Sequence, residues 1–201
     1  TLSIRSFREA GAEPTALAAI AVLTGTSESV RPVQSLDELA GLLALDKVSR
    51  APAKFDPAEV ESLSARTLHE MPYALATPRL ARFGLPEASA EPFWLAVRGT
   101  LGRFEDVKAW RDLVFGAALG VIQEEDYLAT AIAYLPPEPW DESTWSVWTD
   151  ALKQATGRKG KALFMPLRLA LTGLEHGPEL RLLLPLMGRT RTATRLSGRS
   201  G

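Results

Sequence analysis

The sequence contains no cysteine and only two histidines, His69 and His176, among its 201 residues. Without cysteine the chain cannot form a disulfide, a thiolate metal site or a cysteine nucleophile. The histidines lie far apart in sequence, and neither is accompanied by a cluster of carboxylates at metal-ligand spacing. We therefore predict no metal site in this chain, and we interpret both histidines as residues of a helix face or a loop.

Long hydrophobic runs and nucleotide-binding loops are also absent. The longest apolar stretches, such as LRLLLPLMG, fall well short of the roughly 18 residues that a membrane span needs, and the N-terminus does not look like a secretory signal. There is no P-loop, no strand followed by Gly-x-Gly-x-x-Gly and no readable Ser-His-Asp signature. We expect a cytoplasmic protein that does not contact a membrane. Because the chain begins with Thr1 and not methionine, we also expect it to be a piece of a longer protein.

The charges are distributed unevenly. The composition, 46% hydrophobic with a net charge of -1, is typical of a soluble globular protein. However, residues 1–150 hold 13 Lys or Arg against 22 Asp or Glu, and residues 151–201 hold 10 against 2. A basic end on an acidic body is expected of a protein that binds an anionic polymer. A solvated basic tail would give the same counts, so charge alone leaves both interpretations open.

Apolar residues recur at helical spacing along the chain, between capping signals. Ser3, Ser35 and Asp56 are placed as N-caps, and Pro14 and Pro57 occupy first turns. Further stretches with apolar residues three and four apart include AEPFWLAVRGTL, FEDVKAWRDLVFGAAL, EEDYLATAIAYL and ESTWSVWTDALKQATG. No alternating strand pattern interrupts them. We therefore predict an all-α fold in which short helices pack into bundles.

The stretch GRKGKALFMPLRLALTGLEHGPELRLLLPLMG, residues 157–188, predicts a helical hairpin with unusual polar residues. It begins with Arg158, Lys159 and Lys161, and then becomes almost entirely apolar except for Arg168. A small polar loop follows. The chain also has five tryptophans, which we interpret as mostly core residues, with one or two as stacking platforms for bases as the alternative.

This hairpin sequence closely resembles the signature near the C-terminus of bacterial glutamyl-tRNA synthetases. In that family a Lys-Gly-Lys or similar lead precedes PLR-x-ALTG and a Gly-Pro or equivalent turn. TLSIRSFREAGAEPTALAAIAVLTG resembles the segment after the family's Lys-Met-Ser-Lys-type ATP loop. FDPAEVESLSARTLHE resembles its FD-x-x-x-L-x-x-x-N-x-x-x-L-H stretch, with Ser64 where asparagine is usual. The resemblance covers essentially the whole chain.

The resemblance implies a short-helix stem-contact region followed by two helical-bundle anticodon-binding subdomains, at residues 1–55, 56–103 and 104–201. It implies a tRNA-binding C-terminal fragment of an aminoacyl-tRNA ligase, with tRNA for glutamate as partner, tRNA for glutamine as a second candidate, and a monomeric state. The family's Rossmann-type catalytic domain has motifs that do not occur here. We therefore expect no catalysis and no cofactor in this fragment, and ATP with magnesium in the parent enzyme.

The resemblance also implies roles for individual residues. The family's third anticodon base lies against positions that match Arg168, Gly177, Pro178 and Leu180. Gly177 departs from relatives that carry a hydroxyl there. An arginine offers a planar fork of donors to the exposed edges of unpaired bases. A structural arginine that satisfies helix-end carbonyls is the alternative for Arg168.

The remaining basic candidates would contact other parts of the tRNA. Arg158, Lys159 and Lys161 would hold phosphates, which positions RNA without reading its sequence. On the first helix, Arg5 and Arg8 share a face that could meet the inner corner of the tRNA.

The family's arginine for the first anticodon base falls near LAVRGTLGR. Arg98 is our candidate, and the spacing leaves Arg103 open.

A function of a different class fits the residues as well. An all-α protein-interaction module could use the basic C-terminal end to bind an acidic protein. Such a module would bind RNA weakly and without anticodon preference, whereas a tRNA-binding part would show a steep salt dependence.

Overall fold

The computed structural model of the protein describes residues 3–43 and 54–201. Within these ranges the chain forms α-helices and short 3₁₀ turns, and no strand occurs. The predicted all-α fold is therefore confirmed. The helices are α1 (Ile4–Glu9), α2 (Pro14–Leu23), α3 (Leu36–Gly41), α4 (Pro57–Glu70), α5 (Tyr73–Leu80), α6 (Ala90–Val97), α7 (Val107–Phe115), α8 (Glu125–Ala133), α9 (Thr144–Thr156), α10 (Lys161–Thr172), α11 (Leu180–Met187) and α12 (Arg189–Leu196).

The helices group into two compact units. The first unit comprises Thr1–Ala81 with Arg98–Val107, and the second comprises Arg82–Val97 with Lys108–Gly201. The three functional regions that the resemblance implies stay a prediction.

The predicted N-caps are present in the first unit. The Ser3 hydroxyl accepts the Ser6 N–H at 3.1 Å, the Ser35 hydroxyl accepts the Glu38 N–H at 3.0 Å, and an Asp56 carboxylate oxygen accepts the Ala58 N–H at 3.0 Å. Each bond satisfies a donor that the first turn of a helix leaves free. Local capping chemistry therefore sets where α1, α3 and α4 begin.

An ion pair between a buried carboxylate and a partly exposed arginine joins the start of α2 to α5 in the first unit. Glu13, which is 3% exposed, accepts two hydrogen bonds from the Arg79 guanidinium at 2.6 and 3.0 Å. That guanidinium also lies 3.9 Å from the centre of the Phe104 ring. Ser64, which departs from the family pattern, accepts the Glu13 backbone N–H at 2.7 Å. Ser64 therefore links α4 to the start of α2.

Buried aromatic side chains form much of the core of the second unit. Trp94 and Trp148 are fully buried, and the Trp148 indole N–H donates to the Ala131 carbonyl at 2.8 Å. The Tyr127 hydroxyl donates to the Leu163 carbonyl at 2.7 Å. Helix α11 packs against α6 and α9, and α12 packs against α8 and α10. The hairpin is therefore held on several sides by helices of its own unit.

Helix α12 turns part of the basic end inward. Arg195 is 0% exposed, and its guanidinium donates to the Leu171, Gly116 and Gly201 carbonyls at 3.0, 3.0 and 2.7 Å and also to the Leu113 carbonyl. Burial, with a smaller contribution from the charge of Arg191, lowers the pKa of Arg195 to about 10. It therefore stays protonated at neutral pH. A solvated basic tail does not describe α12.

Candidate functional site

Two glycines set the ends of α10, the first helix of the hairpin. Gly160 precedes α10 with φ +58°, and Gly173 ends it with φ +72°. Residues with side chains rarely adopt this left-handed backbone, and glycine does so at no steric cost. The predicted helical hairpin is confirmed as α10, a loop and α11.

A close backbone approach fixes the C-terminal turn of α10. The Val121 N–H donates to the Leu169 carbonyl at 2.8 Å, next to Gly120. A Cβ built on Gly120 would lie 1.9 Å from the Ala170 oxygen, a distance that the backbone could not tolerate. Only glycine therefore fits at this position, and the contact anchors the turn that carries Arg168.

Arg168 links α10 to the loop and keeps one donor group unused. Its Nη2 donates to the Pro178 carbonyl at 3.1 Å. Its Nη1 is buried and has no hydrogen-bond acceptor in the described part of the chain. Burial lowers the pKa of Arg168 below its usual range. A buried donor without an acceptor is costly, so this nitrogen would gain from an acceptor once a shift of the side chain or the loop exposes it.

The loop packs tightly on a tryptophan of α7. A Cβ built on Gly177 would lie 3.0 Å from Cη2 of Trp110 and 3.6 Å from Nη1 of Arg168. Pro178 is buried, and Leu180 is 3% exposed. The structure therefore brings together the four residues predicted for one base, Arg168, Gly177, Pro178 and Leu180.

An open hollow of about 340 Å³ lies beside Arg168. Its lining residues are Trp145, Phe164, Arg168, Glu179, Leu180 and Arg181. The Trp145 and Phe164 ring centres are 5.8 Å apart with the planes tilted by 33°, and Phe164 is 41% exposed. The hollow therefore combines aromatic surface with the guanidinium of Arg168.

The cations before α10 differ in how they are engaged. The Arg158 guanidinium donates to both carboxylate oxygens of Glu124 at 3.0 Å and lies 4.0 Å from the centre of the Tyr127 ring. The hydrogen bond from Arg158 lowers the pKa of Glu124 below its usual range. Lys159 and Lys161 are exposed, and neither forms an ion pair within the described ranges. These two lysines can meet a phosphate without breaking a contact.

Four further candidate arginines belong to the first unit. Arg98 Nη1 donates to the Met71 carbonyl at 2.9 Å, and Arg103 is exposed with Nη1 3.4 Å from the Ala10 carbonyl. Arg5 is 88% exposed and lies 3.8 Å from Glu9. Arg8 is exposed on the same helix. Arg98 is thus tied to the backbone of its own unit, whereas Arg5 and Arg8 stay largely in solvent.

The histidines and carboxylates of the described residues do not assemble a metal site. His69 Nε2 lies 2.8 Å from the Leu101 carbonyl, and His176 is exposed in the hairpin loop. Across residues 3–43 and 54–201, no group of three or more His, Asp or Glu side chains could hold a metal ion. No described helix is both long and apolar enough to cross a membrane.

Three aromatic residues at the site are not among the residues predicted for it. Phe164 precedes Arg168 by four residues, a helical spacing that places both on one face and that could have identified it. For Trp145 the sequence left a core position and a stacking platform as alternatives, and the structure shows it half-buried and lining the hollow. Trp110 contacts the loop from α7, and no local sequence signal indicates this long-range contact.

Comparisons with known proteins define the class of this site. Residues 121–198, which contain the whole hairpin, match the anticodon binding domain family. The fold also matches a crystal structure of a glutamate tRNA ligase from Elizabethkingia meningosepticum, with a TM-score of 0.76 over 94% of this chain and 41% of that one. At 19% identity this second match is a likeness of fold alone. The hairpin therefore lies inside the range that matches an anticodon binding domain.

Closer relatives identify the family. The chain is 59% identical over 197 residues to glutamate-tRNA ligase 2 of Methylobacterium sp. (strain 4-46), covering 98% of this chain and 44% of that protein. It is 56% identical over 199 residues to glutamate-tRNA ligase 2 of Xanthobacter autotrophicus, covering 98% and 43%. Over nearly its whole length the chain is similar to the C-terminal part of glutamate-tRNA ligases, which confirms the resemblance. It spans less than half the length of these relatives.

Proposed function

We propose that this chain is the tRNA-binding, anticodon-recognising part of a glutamate-tRNA ligase, an enzyme that attaches glutamate to tRNA with ATP. The observation that carries the proposal is the match of residues 121–198 to an anticodon binding domain. The matched range contains Arg168, Gly177, Pro178 and Leu180, which lie together at the hairpin loop.

In this account the hairpin reads the third anticodon base. Nη2 of Arg168 is committed to the Pro178 carbonyl, which orients the guanidinium and fixes the loop. Nη1 is the donor that has no acceptor among the described residues. The exposed edge of an unpaired base offers carbonyl or ring-nitrogen acceptors. Binding of such an edge would satisfy this nitrogen after a small shift of the side chain or the loop exposes it, so recognition would relieve a cost that the free protein carries.

Further cations would position the RNA. Lys159 and Lys161 are free to meet phosphates, and Arg158 would contribute by exchanging part of its contact with Glu124. Phosphate contacts of this kind position RNA without sequence preference. We propose that Arg5 and Arg8 of α1 meet the inner corner of the tRNA.

We assign the first anticodon base to Arg98, with Arg103 as the alternative. Arg98 has a bond to the Met71 carbonyl that fixes its guanidinium. Arg103 is exposed and has only a longer bond, to the Ala10 carbonyl. A residue that reads a base needs a fixed orientation, so the geometry favours Arg98.

The activity of the parent enzyme is part of the same proposal. We propose ATP and magnesium as its cofactors, tRNA for glutamate and as a second candidate tRNA for glutamine as partners, a cytoplasmic location and a monomeric state. The described residues of this chain present no carboxylate cluster that fits magnesium, so we derive no catalytic step from them. The division into a stem-contact region and two anticodon-binding subdomains also belongs to the proposal.

The test is a titration of this chain with unmodified transcripts of glutamate tRNA, glutamine tRNA and an unrelated tRNA at two salt concentrations. We expect preference for the glutamate or glutamine transcript and a steep loss of affinity at the higher salt concentration. Equal and weak binding to all three transcripts would contradict anticodon recognition. In that case, the basic end would have to serve another partner, such as an acidic protein.

A further inference from the structure

The hollow beside Arg168 is also lined by aromatic side chains. Hydrogen bonding of a base by Arg168 alone would not involve them. Phe164 is 41% exposed and lines the hollow. Trp145 of α9 lies next to it, with 5.8 Å between the ring centres. The two rings come from different helices and border one opening.

The indole nitrogens distinguish Trp145 from two other tryptophans of the unit. Trp148 donates to the Ala131 carbonyl at 2.8 Å, and Trp140 donates to the Pro136 carbonyl at 3.0 Å. No acceptor in the described part of the chain takes the Trp145 N–H. Trp145 is only half-buried and rests edge-on against Trp148, with 5.8 Å between the ring centres. The core therefore supports Trp145 from behind and leaves part of its ring available.

The charges at the rim of the hollow favour a neutral ligand group. Arg181 donates to Glu142 at 2.9 Å and to Glu179 at 2.7 Å. These two carboxylates offset the positive charge of Arg181 and would repel a phosphate. A planar uncharged ring with polar edges fits this hollow. Such a ring can stack on the aromatic surface and accept a hydrogen bond from Arg168 at its edge.

We propose that Trp145 and Phe164 form a base-stacking platform for an unpaired nucleobase of the anticodon loop, held beside Arg168. This inference rests on the proposed function and adds to it a second kind of contact. Arg168 contributes directional hydrogen bonding, whereas the aromatic pair contributes stacking that tolerates different bases. Base-aromatic stacking contributes about 1–3 kcal/mol per base. Loss of the platform would therefore weaken tRNA binding without altering the number of phosphate contacts.

The experiment measures the affinity of Phe164→Ala, Trp145→Phe and Trp145→Leu variants for the glutamate transcript at two salt concentrations. Phe164→Ala removes an exposed ring and tests the platform with the smallest risk to folding. Trp145→Phe keeps an aromatic ring. The matched control is Val147→Ala, because Val147 is an exposed apolar residue of the same helix, 56% exposed, that does not line the hollow.

We expect Phe164→Ala and Trp145→Leu to lose affinity by roughly 5-fold to 100-fold, with the salt slope unchanged. Trp145→Phe should lose less, and Val147→Ala should match the wild type. Transcripts that lack one anticodon-loop base at a time identify the stacked position, since removal of that base and of Phe164 should not be additive. Thermal unfolding of each variant verifies the fold.

Failure of this inference can be distinguished from failure of the proposed function. If the wild type prefers the cognate transcript but Phe164→Ala binds it equally well, the platform is overturned and anticodon reading by Arg168 stands. Additivity of Phe164→Ala with every missing base would also overturn it. If the wild type has no transcript preference, the proposed function fails first and the platform fails with it.

Discussion

Arg168 on α10 and Arg195 on α12 both belong to the basic C-terminal end, and they differ in how many of their donors the protein uses. Arg195 is 0% exposed and donates to four backbone carbonyls. Arg168 donates to one, the Pro178 carbonyl, and its Nη1 has no acceptor in the described ranges. The saturated arginine is a structural element, and the unsaturated one retains capacity to bind a ligand.

The comparison shows that the charge of a basic end does not by itself identify the residues that meet RNA. Arg191 also points inward, since its guanidinium donates to the Val114 and Phe115 carbonyls at 3.2 and 2.9 Å. Arg195 and Arg191 hold two or more carbonyls inside the fold, although Nε of Arg191 has no acceptor among the described residues, whereas Lys159 and Lys161 remain in solvent. Measurements of stability and of RNA affinity should therefore separate the two groups.

The largest effect on stability should come from Arg195→Met. The substitution keeps an apolar stem but leaves four carbonyls without their donor, so we expect the free energy of unfolding to fall by about 3 kcal/mol or more. Chemical denaturation measures it. Arg199→Met is the control, because Arg199 is exposed and its side chain bonds, among the described residues, only the Ser197 hydroxyl at 3.0 Å. Equal stability of the two variants would contradict a structural role for Arg195.

Gly120→Ala should be the next most damaging change. The added Cβ would lie 1.9 Å from the Ala170 oxygen, so either the segment around Gly120 or the end of α10 must shift. We expect this shift to lower the free energy of unfolding by about 2 kcal/mol. Gly99→Ala is the control, since no atom lies within 4 Å of a Cβ at that position. Thermal unfolding compares them, and an unshifted midpoint in Gly120→Ala would refute the close approach.

Tyr127→Phe should cost about 1 kcal/mol at neutral pH, because the bond to the Leu163 carbonyl is lost. Burial raises the pKa of Tyr127 from 10.0 to about 12. A raised folded-state pKa stabilises the fold below the unfolded value, and that stabilisation is lost as pH rises through the folded value. We therefore expect the wild type to lose stability between pH 10 and 12 relative to Tyr127→Phe.

Denaturation at several pH values between 9 and 12 tests this titration. Tyr134→Phe is the matched control, since Tyr134 is 46% exposed and its variant should follow the wild type. If the difference in the free energy of unfolding between wild type and Tyr127→Phe stays constant across this pH range, ionisation of Tyr127 does not contribute to stability.

The smallest effect on stability should belong to Lys159→Ala and Lys161→Ala, within about 0.5 kcal/mol of the wild type. Their effect should instead appear in RNA binding, where each is expected to reduce the salt slope of tRNA affinity by about 1. Titrations at several salt concentrations measure this slope. A slope identical to the wild type in both variants would remove these lysines from the interface.

The beginnings of several helices were predictable because capping is local chemistry. Ser3, Ser35 and Asp56 each cap the predicted helix. Helix α5 was not predicted, since Pro78 lies inside it and proline ordinarily disfavours a helix interior. Helix α12 was not predicted either, because its buried face includes Thr192 and Arg195 and so lacks an apolar pattern.

The candidate site was predictable only in part, because some of its contacts join residues that are distant in the sequence. The proximity of Arg168 to Pro178 follows from a short hairpin and from the family resemblance. The contacts of Trp110 with Gly177 and of Trp145 with Phe164 join separate helices, so they depend on tertiary packing that no local pattern encodes. Engagement of Arg158 by Glu124 is likewise a contact between distant positions.

The most direct test of the account measures wild type and Arg168→Ala against the glutamate transcript and against the same transcript with the third anticodon base changed. We expect Arg168→Ala to retain the fold and the salt slope, because it loses one hydrogen bond and no phosphate contact. Its affinity for the cognate transcript should fall by about 1–3 kcal/mol, with no further loss for the changed base. If instead the base change weakens Arg168→Ala as much as it weakens the wild type, Arg168 does not read that base.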